Sequence, residues 1–326
     1  MEQTMKILQI LAPGQVEWRE APLPVPAAGE ALVRIEAVTT CPHWDLHLMS
    51  GEPMFAGGTL EYPYTAGQPG HEAMGTVVAV GPGVTSLTSG ARVAAWRDQG
   101  HHRPGAYARF ATFLEDNLLP LPAGLASERV TSLELAMCVQ VSFDQLGQID
   151  AVKGKRFGVA GLGPAGLVAV QLAKAGGARE VVAFDPLPAR RELARSLGAD
   201  LVLDPTGDGL PPGRGAATAL DAALDCTGLK TSIEYLMDRT RQAVAIFGVL
   251  REVVGFGPGH WPGLTLMGYL PHNRGAAERA LAQIVAGRLD LACLSTHALP
   301  LSRYAEGVEL LRRKEAIKVR FQPWVE

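Results

Sequence analysis

Short apolar runs separated by proline and glycine fill the first third of the chain. Runs with the residue types of β-strands lie at 31–38, 75–80, 92–96 and 107–113. Such runs, bounded by turn-forming residues, are typical of strands joined by irregular loops. They predict a mainly β domain that extends to residue 124.

A different pattern begins at residue 156, where strand-like and helix-like segments alternate. Strand-like runs lie at 156–160, 180–185, 222–225, 243–248 and 264–268. Helix-like segments follow the first two of them, at 164–175 and 189–197. Successive units of this kind build a parallel sheet with helices on both faces. The fold class is therefore predicted as α/β, with a doubly wound sheet in the second domain.

The last part of the chain becomes mixed again. It holds an amphipathic segment at 302–313 and a strand-like run at 317–321. We predict that this tail returns to the first domain. The mainly β domain is then assigned residues 1–140 and 290–326, and the doubly wound domain residues 141–289.

Composition excludes several classes of protein. The chain has 326 residues, 47% hydrophobic and 19% charged, with a formal charge of −3 and no basic run, so a nucleic-acid partner is not expected. No apolar stretch reaches the roughly 18 residues of a membrane span. The four cysteines are too scattered for a disulfide framework, and the first residues lack a signal pattern. We predict a cytoplasmic protein that acts on a small molecule.

A glycine-rich loop lies between the first strand and helix of the second domain. Its residues are Gly161, Leu162, Gly163, Pro164, Ala165 and Gly166. Glycines in this context allow a tight turn and a close approach of the backbone to a pyrophosphate, which the helix N-terminus then stabilises. The loop predicts a dinucleotide site; the plainer interpretation is an ordinary strand-to-helix turn.

Asp185 ends the next strand, in the position from which a carboxylate binds the ribose hydroxyls of NAD. The carboxylate would repel a 2′-phosphate, so we predict NAD in preference to NADP. Arg190 and Arg191 keep NADP open as the alternative cofactor. The plainer interpretation of Asp185 is a cap for the following helix.

Cys41, His71 and Cys138 precede the glycine-rich loop and are candidate metal ligands. Two thiolates and one imidazole hold Zn²⁺ with a fourth position open, as a catalytic zinc requires. A metal-bound histidine commonly donates its other ring proton to a carboxylate, and Asp45 is the candidate acceptor for His71. Taken alone, however, a buried cysteine such as Cys138 is more often a core residue.

Several segments together resemble the medium-chain dehydrogenase/reductase family, in its zinc-containing alcohol dehydrogenase-like branch. They are Gly70-His71-Glu72 with Gly75 and Val77-Val78, the glycine-rich loop, Asp225-Cys226-Thr227-Gly228 and Ile317-Lys318-Val319. The resemblance covers nearly the whole chain. It implies a GroES-like mainly β catalytic domain and a Rossmann domain, with the active site in the cleft between them.

The resemblance also implies a role for each matching residue. Cys41, His71 and Cys138 match the zinc ligands, Glu72 an acid behind the metal, Asp45 the acid next to the ligands, His47 a proton relay, and Lys318 a group that reaches the pyrophosphate. The implied activity is hydride transfer between NAD(H) and an alcohol or carbonyl substrate, such as a primary or secondary alcohol, a polyol or a sugar. The family's habit implies a homodimer or homotetramer.

Two features depart from the family pattern. Three residues, Pro42, His43 and Trp44, separate Cys41 from Asp45, where the family has two. His43 stands where the family has a serine or threonine; it either relays protons, approaches the metal in place of Cys41, or is a solvated loop residue. The second departure is that the clustered cysteines of the family's structural zinc are absent, so we predict one catalytic zinc and no structural zinc.

Other interpretations stay open at this point. Trp96, Met54 and Phe55 are candidate walls of a substrate pocket, while His101 and His102 are expected to be exposed loop residues. A zinc-free, NADPH-dependent quinone or enoyl reductase would not need the three metal ligands. A non-catalytic dinucleotide-binding sensor would keep the glycine-rich loop and Asp185.

Overall fold

A computed structural model describes residues 3–55, 57–97, 100–207 and 209–326. The strands are β1 Thr4–Ala12, β2 Gln15–Pro22, β3 Glu30–Thr39, β4 Glu72–Val80, β5 Arg92–Ala95, β6 Phe110–Leu114, β7 Leu118–Pro120, β8 Arg156–Ala160, β9 Glu180–Phe184, β10 Leu201–Leu203, β11 Leu220–Asp225, β12 Thr240–Ile246, β13 Thr265–Met267, β14 Ser295–Pro300 and β15 Lys318–Gln322. The α-helices are α1 Pro42–Ser50, α2 Leu133–Gly147, α3 Pro164–Ala175, α4 Pro188–Ser196, α5 Lys230–Met237, α6 Arg274–Val285 and α7 Tyr304–Arg312.

The chain forms two compact units. Unit 1 comprises Met1–Leu135 and Leu291–Glu326, and unit 2 comprises Ala136–Asp290. The sequence placed the first junction five residues later, at 140/141, and the second at 289/290. Helix α2 runs through the first junction, so its first turn belongs to unit 1 and the rest to unit 2.

Unit 1 is built on a mostly antiparallel sheet in the order β14-β15-β3-β4-β5-β7, and β6 also pairs with β3. β3 is buried along most of its length because it has neighbours on both sides. The C-terminal strand β15 pairs antiparallel with β3, with Arg320 opposite Thr39. The predicted return of the tail to the first domain is therefore confirmed.

Unit 2 contains a parallel sheet in the order β10-β9-β8-β11-β12-β13. Relabelled within the unit, this is the order 3-2-1-4-5-6 of a doubly wound sheet, as the alternating pattern predicts. The carboxyl ends of parallel strands meet at one edge of a sheet. The loops after β8, β9 and β11 therefore lie side by side, and they carry the glycine-rich loop, Asp185 and Cys226.

Among the helices that the structure describes, none combines the length and the apolar character that crossing a bilayer requires.

Candidate metal and dinucleotide sites

Three potential metal ligands meet in unit 1. Cys41 is the residue before α1, His71 directly precedes β4, and Glu72 opens that strand. One ligand atom of each lies within 4.8 Å of those of the other two. The structure thus brings two of the predicted zinc ligands, Cys41 and His71, next to the acid that the resemblance placed behind the metal.

A fourth donor, Glu134, was missed by the sequence analysis. It lies in the first turn of α2, and its Oε2 is 3.8 Å from Nε2 of His71. Both side chains are about nine-tenths buried or more. In the sequence, Glu134 appears only as a single carboxylate in an otherwise apolar segment. Its spacing from the other candidate ligands does not mark it as a metal donor.

The electrostatics of this cluster favour a cation. Burial by itself lowers the pKa of His71, but the hydrogen bond with Cys41 and the negative charges of Glu134, Cys41 and Glu72 raise it well above its ordinary value. Nδ1 of His71 is buried and has no hydrogen-bond partner among the described residues. An imidazole, a thiol and carboxylates are the donors that Zn²⁺ takes. The residues present therefore fit zinc.

Glu72 is held by two groups. Its Oε1 accepts from Nζ of Lys318 at 2.5 Å, and its Oε2 accepts from Oγ1 of Thr39 at 3.1 Å. The side chains of Glu72 and Lys318 are each only 1% exposed. Within unit 1 the ammonium group of Lys318 is thus buried as the counter-ion of Glu72, and its contact with a pyrophosphate stays a prediction.

Asp45 does not accept a hydrogen bond from His71, contrary to the expectation. Its fully buried carboxylate accepts instead from the hydroxyls of Tyr107, at 2.9 and 3.1 Å, and of Tyr304, at 2.7 Å. Burial raises the pKa of Asp45 to about 6, although both tyrosine hydrogen bonds oppose the shift. The physical reason is that the two buried tyrosine hydroxyls occupy the carboxylate.

The two remaining histidines of the Cys41 segment lie within α1. The rings of His43 and His47 stack with centroids 5.1 Å apart, and Nδ1 of His47 lies 2.9 Å from the carbonyl oxygen of Glu52. His43 is half-buried in a helix, so it is not a solvated loop residue. Cys41, not His43, belongs to the donor group around His71.

The predicted pocket walls divide into core and surface residues. Met54 and Trp96 are buried, and Nε1 of Trp96 donates to the carbonyl of Asp116 at 2.7 Å. Phe55 is exposed and packs edge-on against Trp44.

The two histidines of the 100–105 loop differ in their surroundings. His102 is exposed, as expected. His101 is half-buried instead, because it packs on Trp44 and its Nδ1 lies 2.8 Å from the hydroxyl oxygen of Tyr64.

Cys138, the third predicted ligand, lies in unit 2. Its buried Sγ is 3.3 Å from Nε2 of His272, a residue that the sequence analysis did not single out. Glu134 precedes Cys138 by one turn of α2, so the two side chains lie on the same face of that helix. The structure therefore offers two donors on α2 where the sequence predicted one.

The glycine-rich loop of unit 2 has the geometry of a phosphate cradle. Gly161 has φ +84°, and a Cβ on Gly166 would lie 1.8 Å from the carbonyl oxygen of Gly161. A Cβ on Gly163 would instead meet no protein atom within 4 Å. Gly163 is also the N-cap of α3 and provides no side chain to satisfy the first amides of the helix. The open space and the lack of a side-chain cap at this described helix start fit a pyrophosphate.

Asp185 is hydrogen-bonded to this loop. Its Oδ2 accepts from the amide of Leu162 and its Oδ1 from the amide of Leu187, both at 2.8 Å. Arg191 donates to the backbone carbonyl of Asp185 at 2.7 Å. A carboxylate has about four acceptor positions, so each oxygen keeps one for a ribose hydroxyl. Asp185 is not the N-cap of α4, since Leu187 holds that position.

Comparison with known domain families gives two matches. Residues 27–123 match the alcohol dehydrogenase GroES-like domain, and residues 164–261 match the zinc-binding dehydrogenase domain. The first match lies in unit 1 and the second in unit 2.

Similar whole proteins are dehydrogenases. L-threonine 3-dehydrogenase of Rhizobium johnstonii is 27% identical over 353 residues, which cover 98% of this chain and 99% of that protein. Alcohol dehydrogenase TADH from Thermus sp. ATN1 superposes with a TM-score of 0.81 at 25% identity and covers 98% of this chain and 99% of its own. A protein from Sinorhizobium meliloti 1021, provisionally described as a zinc-binding dehydrogenase and bound to NADP, has a TM-score of 0.83 at 23% identity, over 99% and 100% of the two chains.

A GroES-like unit with buried candidate metal ligands and a doubly wound unit with a glycine-rich loop are the parts of a nucleotide-dependent dehydrogenase. The chain belongs to the medium-chain dehydrogenase/reductase family, in its zinc alcohol dehydrogenase-like branch. The predicted fold class, a GroES-like domain with a Rossmann domain, is confirmed, and the protein is an NAD(P)-dependent dehydrogenase.

Proposed function

We propose that this protein is a zinc-dependent oxidoreductase that transfers a hydride between NAD(H) and an alcohol or carbonyl substrate. The observation that carries the proposal is the buried imidazole of His71, which is surrounded in unit 1 by Cys41, Glu72 and Glu134. Three acidic groups around one imidazole, with Lys318 already paired to Glu72, leave negative charge for a divalent cation to neutralise.

One catalytic zinc is proposed, with Cys41, His71 and Glu134 as its ligands. Glu134 is preferred as the third ligand because its carboxylate faces Nε2 of His71 within the same unit. Cys138 is the alternative third ligand that the family resemblance implies. Glu72, fixed by Lys318 and Thr39, stays behind the ligands and stabilises the positive charge.

When bound, zinc lowers the pKa of a hydroxyl group so that it ionises near neutral pH. The chain then has to remove the released proton. His43 and His47 stack along α1 and provide two successive groups for that transfer, since a general base works within hydrogen-bond reach or through one water. Asp45 holds this helix in place, because its carboxylate accepts hydrogen bonds from two buried tyrosine hydroxyls.

The cofactor is proposed to be NAD. Gly161, Gly163, Pro164, Ala165 and Gly166 would hold the pyrophosphate at the N-terminus of α3. Asp185 would accept from the ribose hydroxyls and repel the 2′-phosphate of NADP. NADP stays as the second candidate because Arg190 and Arg191 follow Asp185, and because one protein of the same fold binds NADP.

The substrate is proposed to be a small secondary alcohol or polyol, or the matching ketone. The support is the likeness over nearly the full length to L-threonine 3-dehydrogenase, whose name describes a hydroxyl at an internal carbon. A homodimer or homotetramer in the cytoplasm is proposed from family habit.

The test is an activity screen with the purified protein. L-threonine, 2,3-butanediol and sorbitol are assayed with NAD and with NADP, before and after treatment with 1,10-phenanthroline, and in a Cys41→Ser variant. We expect reduction of NAD with at least one alcohol, its loss with the chelator or the substitution, and its recovery on adding Zn²⁺ to the chelated wild type. Quinone reduction with NADPH that survives both treatments would instead establish a zinc-free reductase.

A further inference from the structure

Unit 2 contains a cavity of about 200 Å³ on the side of its sheet away from the glycine-rich loop. Gly147 and Val152, which precede β8, and Gly176, which precedes β9, are among the residues that line it. They lie at the amino ends of the parallel strands, whereas the glycine-rich loop and Asp185 follow the carboxyl ends. The cavity is therefore separate from the proposed cofactor site. It is also smaller than the roughly 300 Å³ at which sites for drug-sized ligands begin.

The C-terminal ends of three helices converge on this cavity. Gly147 is the last residue of α2, Ala175 is the last residue of α3, and Gln283 lies in the last turn of α6. The last carbonyl groups of a helix have no partner within the helix, and they carry the negative end of its dipole. Three such ends favour a positively charged group in the cavity.

Asp150 and Lys153 bring one charge of each sign to the cavity wall. Both side chains are exposed, and neither has an ion-pair or hydrogen-bond partner among the described residues. The backbone amide of Asp150 donates to the carbonyl of Gly147 at 3.2 Å, which holds Asp150 beside the end of α2. A carboxylate beside helix C-termini is unfavourable on its own, so a cation next to it would be stabilised. Lys153 is available to an anionic group of the same ligand.

Two carboxamides on the cavity wall are oriented by hydrogen bonds. Nε2 of Gln140 donates to Oδ1 of Asp144 at 2.9 Å. Oε1 of Gln283 accepts from Nε of Arg288 at 2.6 Å. Gln140 thus keeps its oxygen as an acceptor for a ligand, and Gln283 keeps its amino group as a donor. An ammonium group and a carboxylate are the complementary ligand groups.

The floor of the cavity is apolar. Phe143, Val152 and Leu172 line it, and all three are buried in the unit. An aliphatic group that covers this floor removes its own apolar surface from water, which is favourable. The cavity therefore offers a place for a small apolar side chain next to its charged groups.

We propose that this cavity binds a small zwitterion with an apolar side chain, namely an apolar α-amino acid of the size of leucine. The ammonium group of the ligand pairs with Asp150 and with the carbonyl groups at the helix ends. Its carboxylate pairs with Lys153, and its side chain lies on the apolar floor. The site is built from unit 2 alone, and it does not rest on the proposed hydride transfer.

The test is equilibrium dialysis of the purified protein with radiolabelled L-leucine. Isocaproate, which lacks the ammonium group, and isoamylamine, which lacks the carboxylate, are the competitors. The variants are Asp150→Asn, Lys153→Gln and Ala175→Phe, and asparagine is chosen because residue 150 has φ +53°, which asparagine tolerates. Lys155→Gln is the matched control, because Lys155 is two residues further on and is not part of the described cavity wall.

We expect one leucine per chain in the wild type and in Lys155→Gln, with a Kd of about 1 mM or below. Asp150→Asn and Lys153→Gln should each bind at least about tenfold more weakly, since each loses a hydrogen bond to a charged group. Ala175→Phe should not bind leucine, because its ring would fill the cavity. All four variants should keep the thermal unfolding temperature of the wild type.

Three results would overturn the proposal. The first is a wild type that binds no leucine at about 10 mM. The second is wild-type affinity in Ala175→Phe, or in both Asp150→Asn and Lys153→Gln. The third is a competitor that displaces labelled leucine as well as unlabelled leucine does. None of these readouts depends on zinc or on catalysis, so failure here is distinguishable from failure of the proposed function.

Discussion

At the scale of single residues, the acidic groups around His71 lie beside different oppositely charged groups. Glu72 has Lys318, and the pair is buried together. Cys41 and Glu134 both lie beside the imidazole of His71, and their charges raise its pKa. A buried charge without an opposite charge beside it is costly, so a bound cation would stabilise this group of acidic side chains.

Substitutions at Gly163 and Gly166 should have different effects, because the first glycine faces the cofactor site and the second is packed against the backbone. Gly166→Ala should lower the free energy of unfolding by about 3 kcal/mol or more, since its Cβ would lie against the carbonyl of Gly161. Gly163→Ala should leave stability within about 1 kcal/mol but raise the KM for the dinucleotide at least tenfold, since its Cβ would occupy the cradle. Chemical denaturation and cofactor titration measure the two effects. Unchanged cofactor binding in Gly163→Ala would show that the pyrophosphate lies elsewhere.

Asp185→Asn should shift the cofactor preference toward NADP. The substitution removes the charge, and its one amide oxygen can replace only one of the two oxygens that accept from the amides of Leu162 and Leu187. Because juxtaposed like charges cost several kcal/mol, the ratio of kcat/KM for NADP to that for NAD should rise by about tenfold or more. The ratio is measured from initial rates with each cofactor. A wild type that already prefers NADP, with a ratio that Asp185→Asn does not change, would refute the role given to Asp185.

At the scale of secondary-structure elements, one buried carboxylate joins three segments that are distant in sequence. Asp45 lies on α1, Tyr107 precedes β6, and Tyr304 opens α7 in the returning tail. Their rings pack closely, with the centroids of Tyr107 and Tyr304 5.1 Å apart. This cluster fixes the helix that follows Cys41 and so positions the metal donors.

Tyr304→Phe tests that cluster without changing its shape. Asp45 would lose one of its two tyrosine donors, which should cost about 1–3 kcal/mol of the free energy of unfolding. Tyr62→Phe is the matched control, since the hydroxyl of Tyr62 donates to the uncharged carbonyl of Leu48 at a partly buried position and should cost less. Denaturant unfolding measures both. Equal losses in the two variants would mean that the charge of Asp45 is not stabilised by Tyr304.

Periodicity predicted unit 2 well because its parallel strands are buried on both faces and appear as continuous apolar runs, such as 156–160 and 180–185. It did not predict β1, β2 or β14, whose patterns are mixed. The metal donors show the same limit. The order along the chain and the family resemblance predicted Cys41, His71 and Cys138 as ligands, but nothing in the sequence pointed to Glu134, which shares one face of α2 with Cys138. Nor could it show that Asp45 accepts from two tyrosines that are distant in sequence.

At the scale of the whole molecule, each unit contributes one part of a dehydrogenase. Unit 1 matches the GroES-like domain and holds Cys41, His71, Glu72 and Glu134; unit 2 matches the zinc-binding dehydrogenase domain and holds the phosphate cradle and Asp185. α2 is the element that runs through the junction, and it carries both candidates for the third zinc ligand. Identifying that ligand therefore tests the assignment of the whole site.

The most direct measurement is the zinc content per chain, by elemental analysis, of the dialysed wild type and of the Cys41→Ser, Glu134→Gln and Cys138→Ser variants. The account predicts about one zinc per chain in the wild type and in Cys138→Ser, and well below that in Cys41→Ser and Glu134→Gln. A freshly prepared wild type without zinc would contradict the proposed mechanism. Zinc that is retained in Glu134→Gln and lost in Cys138→Ser would show instead that Cys138 is the third ligand.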